Sequence, residues 1–307
     1  HRDLHSFPTR RSSDLPLWTG TPRDQIPGDG VPIQPAATIL LVADRPELQV
    51  LVLRRTEAST FVAGHTLFPG GRVDDGDRDP RWPDLVVGRT ASDAVRALGA
   101  DDGLAFWTAA VRETVEEAGL VVGIDDRVLA ADLVHRRRDL EEQRVNLADL
   151  VADRGATLDL SGIHPVARWV TPMPSDKRYD TYFFVAGVDP GVEPVVDGRE
   201  AVHAAWCRPS DVLGRWRAGE VTMISPTIAM FQRLASYATT GDLLAAAAVG
   251  GPALRARILD ESASPVRFEG DPGYHDEGTR ESLGWVWLPV GNLPDPTAGW
   301  DATTLCS

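Results

Sequence analysis

Three glutamates spaced to share one side of a single helix constrain this chain more than any other feature of it. In Arg112-Glu113-Thr114-Val115-Glu116-Glu117-Ala118-Gly119, the glutamates stand at i, i+3 and i+4. That spacing puts helical side chains on one face. Like charges so close destabilise a helix unless something neutralises them. Two readings are open at this point: a solvated acidic face, or oxygen ligands for a hard divalent cation such as Mg2+ or Mn2+. Residues 104–118 have helical spacing throughout, and Gly119 supplies the C-terminal stop.

The charge balance narrows the partners. A net charge of −14 over 307 residues argues against a surface that grips nucleic acid non-specifically. A small anionic substrate stays open, because a bound divalent ion supplies positive charge locally. The two cysteines, Cys207 and Cys306, give no disulfide framework and no zinc spacing, which fits a reducing cytoplasm. No apolar run reaches the roughly 18 residues of a membrane span, and 243–249 is far too short. Lys177 is the sole lysine. Residues 1–15 read as translated sequencing adapter and are set aside from fold reasoning; 16–35 are an irregular lead-in rich in Pro and Gly.

Residues 36–42 and 48–53 read as a strand pair around a polar turn. An acidic, Pro-interrupted insertion covers about 78–103, with a short helix at 91–98. Further strands are expected at 120–122, 168–171, 179–188 and 201–206, and helices at 139–152, 209–213 and 226–237. From about 241 the chain shows no clear core pattern. Strands and helices mix without regular βαβ alternation, so the class is α+β, built as a layered α/β/α sandwich.

Phe68-Pro69-Gly70-Gly71, then Asp77, then the glutamate helix resemble the Nudix box. Gly71 and Asp77 match its first half, with Asp for the usual Glu; Arg112, Glu113, Glu116, Glu117, Gly119 and Leu120 match its second. Thr114 stands where the family prefers an aliphatic residue, and 34 residues separate Asp77 from Arg112, a much longer spacer than usual. The resemblance implies a Nudix sandwich with a mixed sheet over 36–240, followed by a C-terminal extension at 241–307. It also implies Mg2+- or Mn2+-dependent hydrolysis of a nucleoside diphosphate linkage. Glu116 and Glu117 would be ligands, Glu113 a ligand or base, and Arg112 a fork holding a carboxylate. Gly70 and Gly71 would let the backbone approach metal and phosphates. A later loop often adds a carboxylate to such sites; Glu200 is the first candidate and Asp197 the second, with a solvated loop acid as the alternative.

Gly64-His65-Thr66-Leu67-Phe68-Pro69-Gly70-Gly71 fits the tail of the coenzyme A signature, whose basic front half is not reproduced. With Trp169-Val170-Thr171-Pro172 and 178–184, it resembles the branch containing animal coenzyme A diphosphatases. Coenzyme A or an acyl derivative is the expected substrate, cut to 3′,5′-ADP and a 4′-phosphopantetheine product. Arg54, Arg55 and Arg178 are candidates for the extra phosphate, or plain surface arginines. The alternatives are an ADP-ribose or nucleotide-sugar pyrophosphatase, and a non-catalytic ligand sensor, which predicts a damaged glutamate set. Trp169 and Trp206 read as core or as a platform for adenine or pantetheine. Trp285, Trp287 and Trp300 read as a cap on the domain or a homodimer interface. Cys207 lacks the His and Asp arrangement of a nucleophile.

Overall fold

The computed structural model describes residues 23–26, 28, 30–56, 64–196, 198–199, 201–258, 266–276 and 278–289. The segment 1–15, Asp197, Glu200, Trp300 and Cys306 lie outside the described residues. The first half of the chain runs β1 (Ile33–Asp44), β2 (Leu48–Arg55), β3 (Thr66–Leu67), β4 (Gly70–Arg72), α1 (Trp82–Leu85), β5 (Val86–Val87), α2 (Ala91–Leu98) and α3 (Gly103–Ala118). It continues through α4 (Arg127–His135), α5 (Arg137–Glu141), α6 (Leu147–Arg154), β6 (Leu158–Asp159), β7 (Ile163–Val170) and β8 (Arg178–Gly187). The last part holds β9 (Ala201–Cys207), α7 (Pro209–Arg217), α8 (Ser225–Leu234), α9 (Thr240–Val249), β10 (Leu254–Ile258), β11 (Val266–Phe268) and β12 (Arg280–Val286).

Among the described residues a ten-stranded mixed sheet runs β11-β10-β12-β7-β8-β1-β2-β3, with β4 added to β1 and β9 to β2. β1 and β8 pair in parallel, from Ile33 opposite Arg178 to Val42 opposite Gly187. Both are covered on two faces, which is why they read as unbroken apolar runs. Ile39, Leu41, Tyr182 and Phe184 pack toward α3, while Leu40, Val42, Phe183 and Val185 pack toward α7, α8 and α9. The result is the expected helix–sheet–helix sandwich.

Every residue of α3 is buried, the glutamates included, and Gly119 closes it at φ 62°. A helix buried all round belongs inside a molecule, so the acidic face is not a solvated one. Thr114, the box irregularity, is fully buried and donates its hydroxyl to the Ala110 carbonyl, the i−4 back-bond open to a helical Thr.

Four expectations are corrected. Residues 120–122 form no strand, and the single helix over 139–152 is two. The break has a local cause: the Asn146 side chain accepts from the Ala148 N–H and starts α6 afresh. The insertion holds more than the one short helix expected of it. Trp82 is buried and donates to the Gly76 carbonyl, α2 carries a Thr90/Asp93 capping box, and β5 pairs with β6. The segment after 241 supplies α9 and three strands, with β12 lying between β7 and β10. Trp285 and Trp287 are buried within the chain, the latter donating to the Pro165 carbonyl at 2.6 Å; they cap the domain. Among the described residues no helix is long and apolar enough to cross a membrane.

Candidate active site

The site begins with a register. β4 lies against β1 so that Gly70 faces Thr38 and Gly71 faces Ala37. A Cβ on Gly70 would stand 2.5 Å from the Ala37 carbonyl oxygen and 2.7 Å from Thr38 Cα, and one on Gly71 would overlap the Glu113 carboxylate. Gly70 is therefore needed for β4 to lie against the backbone of β1, and Gly71 leaves room for the Glu113 carboxylate.

Arg112 organises the acids around it. Its Nε donates to Asp77 Oδ1 at 3.1 Å and Nη2 to Asp77 Oδ2 at 2.9 Å, a bidentate hold on a buried carboxylate. Nη2 also reaches the Arg72 carbonyl at 2.8 Å. Nη1 donates to Glu113 Oε1 at 2.9 Å and to Glu116 Oε2 at 2.8 Å. Asp77 thus fixes the guanidinium from behind, and the guanidinium presents two glutamates to the open side. Burial pushes the Asp77 carboxyl up, against the pull of Arg112. Burial opposes the charge on Arg112 too, but Glu113, Asp77 and Glu116 outweigh it and hold its pKa well above the usual value. Glu116 is pushed up to about 9 by burial and by repulsion from Glu113 and Asp77, with Arg112 opposing.

Glu117 faces elsewhere. Its Oε2 accepts from the Gly70 N–H at 2.9 Å, its Oε1 lies 3.5 Å from Arg55 Nη2, and it does not line the cleft. Glu113, Glu116, Arg112, Gly70, Gly71 and Arg55 do line it, as one wall of a cleft of about 660 Å³. Its other walls include Thr38, Trp169, Phe183 and Ile258, with Ser225 and Pro226 at the start of α8. Arg54 is exposed, and Arg178 is buried and donates to the Thr171 carbonyl at 3.0 Å; neither lines the cleft. Trp169 is at once buried and a cleft wall, whereas Trp206 is not part of the lining. Burial pushes the Cys207 thiol up, the opposite of an activated nucleophile.

Asp74, Glu141, Gln143 and Lys177 line the cleft as well, and no sequence motif marks them. A cation fits the donor chemistry here. Glu116 Oε1 is buried without a hydrogen-bond partner, a position that ordinarily has one. No three His, Cys, Asp or Glu side chains converge as a ready metal cage among the described residues.

The chain is similar to known proteins in sequence and in fold. A family model described as the NUDT19 Nudix domain matches residues 89–234, from within the insertion to the end of α8. The acyl-coenzyme A diphosphatase NUDT19 of Gallus gallus is 24% identical over 262 residues, covering 68% of this chain and 69% of that protein. Its Homo sapiens namesake is 27% identical over 267 residues, covering 68% and 70%. The crystal structure of a NUDIX hydrolase from Alicyclobacillus acidocaldarius superposes with a TM-score of 0.56 at 27% identity, covering 70% of this chain and 97% of that one. In sequence and in fold, with both halves of the box beside one cleft, the chain is similar to the Nudix hydrolases.

Proposed function

We propose that this protein is a divalent-metal-dependent diphosphatase of coenzyme A or acyl-coenzyme A, releasing 3′,5′-ADP and a 4′-phosphopantetheine product, and that it works in the cytoplasm. The observation that carries the reading is the Arg112 constellation. Two buried glutamates are held at the wall of a cleft whose other walls combine apolar residues, among them Phe68, Trp169, Phe183 and Ile258, with polar ones such as Thr181, Ser225 and Lys177. Such a cleft offers one end to a charged diphosphate and the rest to a long, weakly polar arm. The names of the relatives from Gallus gallus and Homo sapiens support the same substrate class.

In this reading Glu113 and Glu116 hold Mg2+ or Mn2+, with Glu117 bracing the Gly70 backbone at the edge of the site. When bound, the ion neutralises phosphate charge and lowers the pKa of attacking water. Arg112 keeps the two glutamates in place and Asp77 keeps Arg112 in place. Arg55 and Lys177 give the cleft its positive counterparts for the remaining phosphate oxygens.

The test is release of 3′,5′-ADP from coenzyme A with Mg2+ or Mn2+, wild type beside Glu116→Gln. The wild type should turn over and the variant should lose on the order of a hundredfold or more in kcat, as loss of metal-held water chemistry demands. Variant-sensitive turnover confined to ADP-ribose or a nucleotide sugar would move the substrate assignment there. A folded wild type inert on every diphosphate would favour a ligand sensor.

A further inference from the structure

We propose that Glu141, carried on α5 into the cleft of the α3 glutamates, accepts hydrogen bonds from the water shell of the bound divalent cation and so positions the ion. This rests on the metal-dependent reading above and adds a residue to it.

Four acids line the cleft: Asp74, Glu113, Glu116 and Glu141. Glu113 and Glu116 are hydrogen-bonded by Arg112, and Asp74 Oδ2 accepts from Gln143 Nε2 at 2.8 Å. Glu141 is paired with Arg199 at 3.7 Å, an ion pair at the surface that is too long for a hydrogen bond. Its carboxylate is thus the least committed acid of the lining.

Its position is fixed by what surrounds it. Leu140, one residue earlier, is buried in the cluster that covers α3. Gln143, two residues later, stands at φ 53° and lines the cleft with its amide on Asp74. A non-glycine residue held in the left-handed region needs support from its surroundings, and the Asp74 bond is such a support. The end of α5 is pinned on both sides of Glu141.

Glu116 lines the same cleft as Glu141, and its buried Oε1 has no hydrogen-bond partner, a position that a positive group would satisfy. Three converging protein ligands are not found there among the described residues. Mg2+ is commonly held in that way: one or two carboxylates, substrate phosphates, and several retained waters. Retained waters need acceptors, and carboxylates beyond the first shell supply them. Glu141, whose ion pair with Arg199 is long and lies at the surface, is the cleft-lining acid least committed elsewhere.

The experiment is Mn2+ binding to the substrate-free enzyme by electron paramagnetic resonance, with coenzyme A turnover and thermal melts in parallel. The variants are Glu141→Gln, its neighbour Glu142→Gln and Glu116→Gln. Glu142 pairs with Arg138 and does not line the cleft. The expected result for Glu141→Gln is about tenfold or more weaker Mn2+ binding and a matching fall in kcat, with an unchanged melting temperature in chelator and a near wild-type Glu142→Gln. Wild-type Mn2+ affinity in Glu141→Gln, with Glu116→Gln weakened, would overturn this inference and leave the metal-dependent reading standing. Equal losses in Glu141→Gln and Glu142→Gln would overturn it also, as a general charge effect. Mn2+ affinity unchanged in Glu116→Gln too, with no turnover by the wild type, would overturn the metal reading itself.

Discussion

Glu116 is the residue on which stability and the proposed metal role pull in opposite directions. Burial raises its pKa from the ordinary 4.5 to about 9. Between those values the folded protein keeps a proton that the unfolded chain has lost, so the folded state binds more protons. Stability therefore falls as pH rises through this window. In chelator, the wild type should lose melting temperature from pH 5 toward pH 9 more steeply than Glu116→Gln, which has no proton to lose there. By pH 9 the variant should be ahead by on the order of 1–3 kcal/mol, a figure set well below the full linkage value because Arg112, Glu113 and Asp77 respond together. Parallel melting curves at every pH would contradict the buried, protonated glutamate. The substitution expected to cost turnover is thus also expected to stabilise the metal-free protein.

At the scale of elements, β4 shows how much a short strand can specify. Its two glycines look interchangeable in sequence but meet different obstacles. Gly70→Ala sets a methyl 2.5 Å from the carbonyl oxygen of Ala37, part of a strand backbone that has no room to yield. It should destabilise the protein by about 2–3 kcal/mol or more. Gly71→Ala instead meets the Glu113 carboxylate, the far end of a flexible side chain that can swing aside. It should leave the melting temperature nearly unchanged while lowering kcat about tenfold or more. Thermal melts and turnover on the two proteins decide this; equal losses of melting temperature in both would refute the distinction. The same contrast explains what was legible beforehand. α3 and the Arg112–Gly119 motif could be read because helix period, stop signal and chemistry lie within one short run. The bidentate Asp77–Arg112 pair was visible only as two halves of a motif, since the folded insertion lies between them. Arg178 looked like a surface cation because nothing local reveals that it is buried and bonded to the Thr171 carbonyl. Glu141 and Lys177 reach the cleft through tertiary packing, which one-dimensional spacing does not encode. Glu200 and Asp197 lie outside the described residues.

At the scale of the whole molecule, the C-terminal strands are structural parts of the sheet. β12 pairs with β7, and Gly284 lies so close to the Trp169 ring that a Cβ would be 2.5 Å from Cε3. Ending the chain after Gly250 would leave β7 as an open edge and strip one side from Trp169, a wall of the cleft. An unpaired apolar edge is an invitation to aggregate. The truncated protein should be aggregated on gel filtration or quickly digested by protease, with no turnover; a monodisperse, active truncation would show that the strands are dispensable.

The placing of β12 also sets a timetable for the cell. β7 ends at Val170 and β12 begins at Arg280, so the ribosome must add roughly 110 residues before the strand that seals this edge exists. At about 5–20 residues per second, the wait is roughly 5–20 seconds. During that interval a nascent chain already carrying β1, β7 and β8 holds an unsealed hydrophobic border. Nascent chains stalled before residue 280 should therefore be clients for chaperones, and slow codons ahead of β12 would lengthen their exposure.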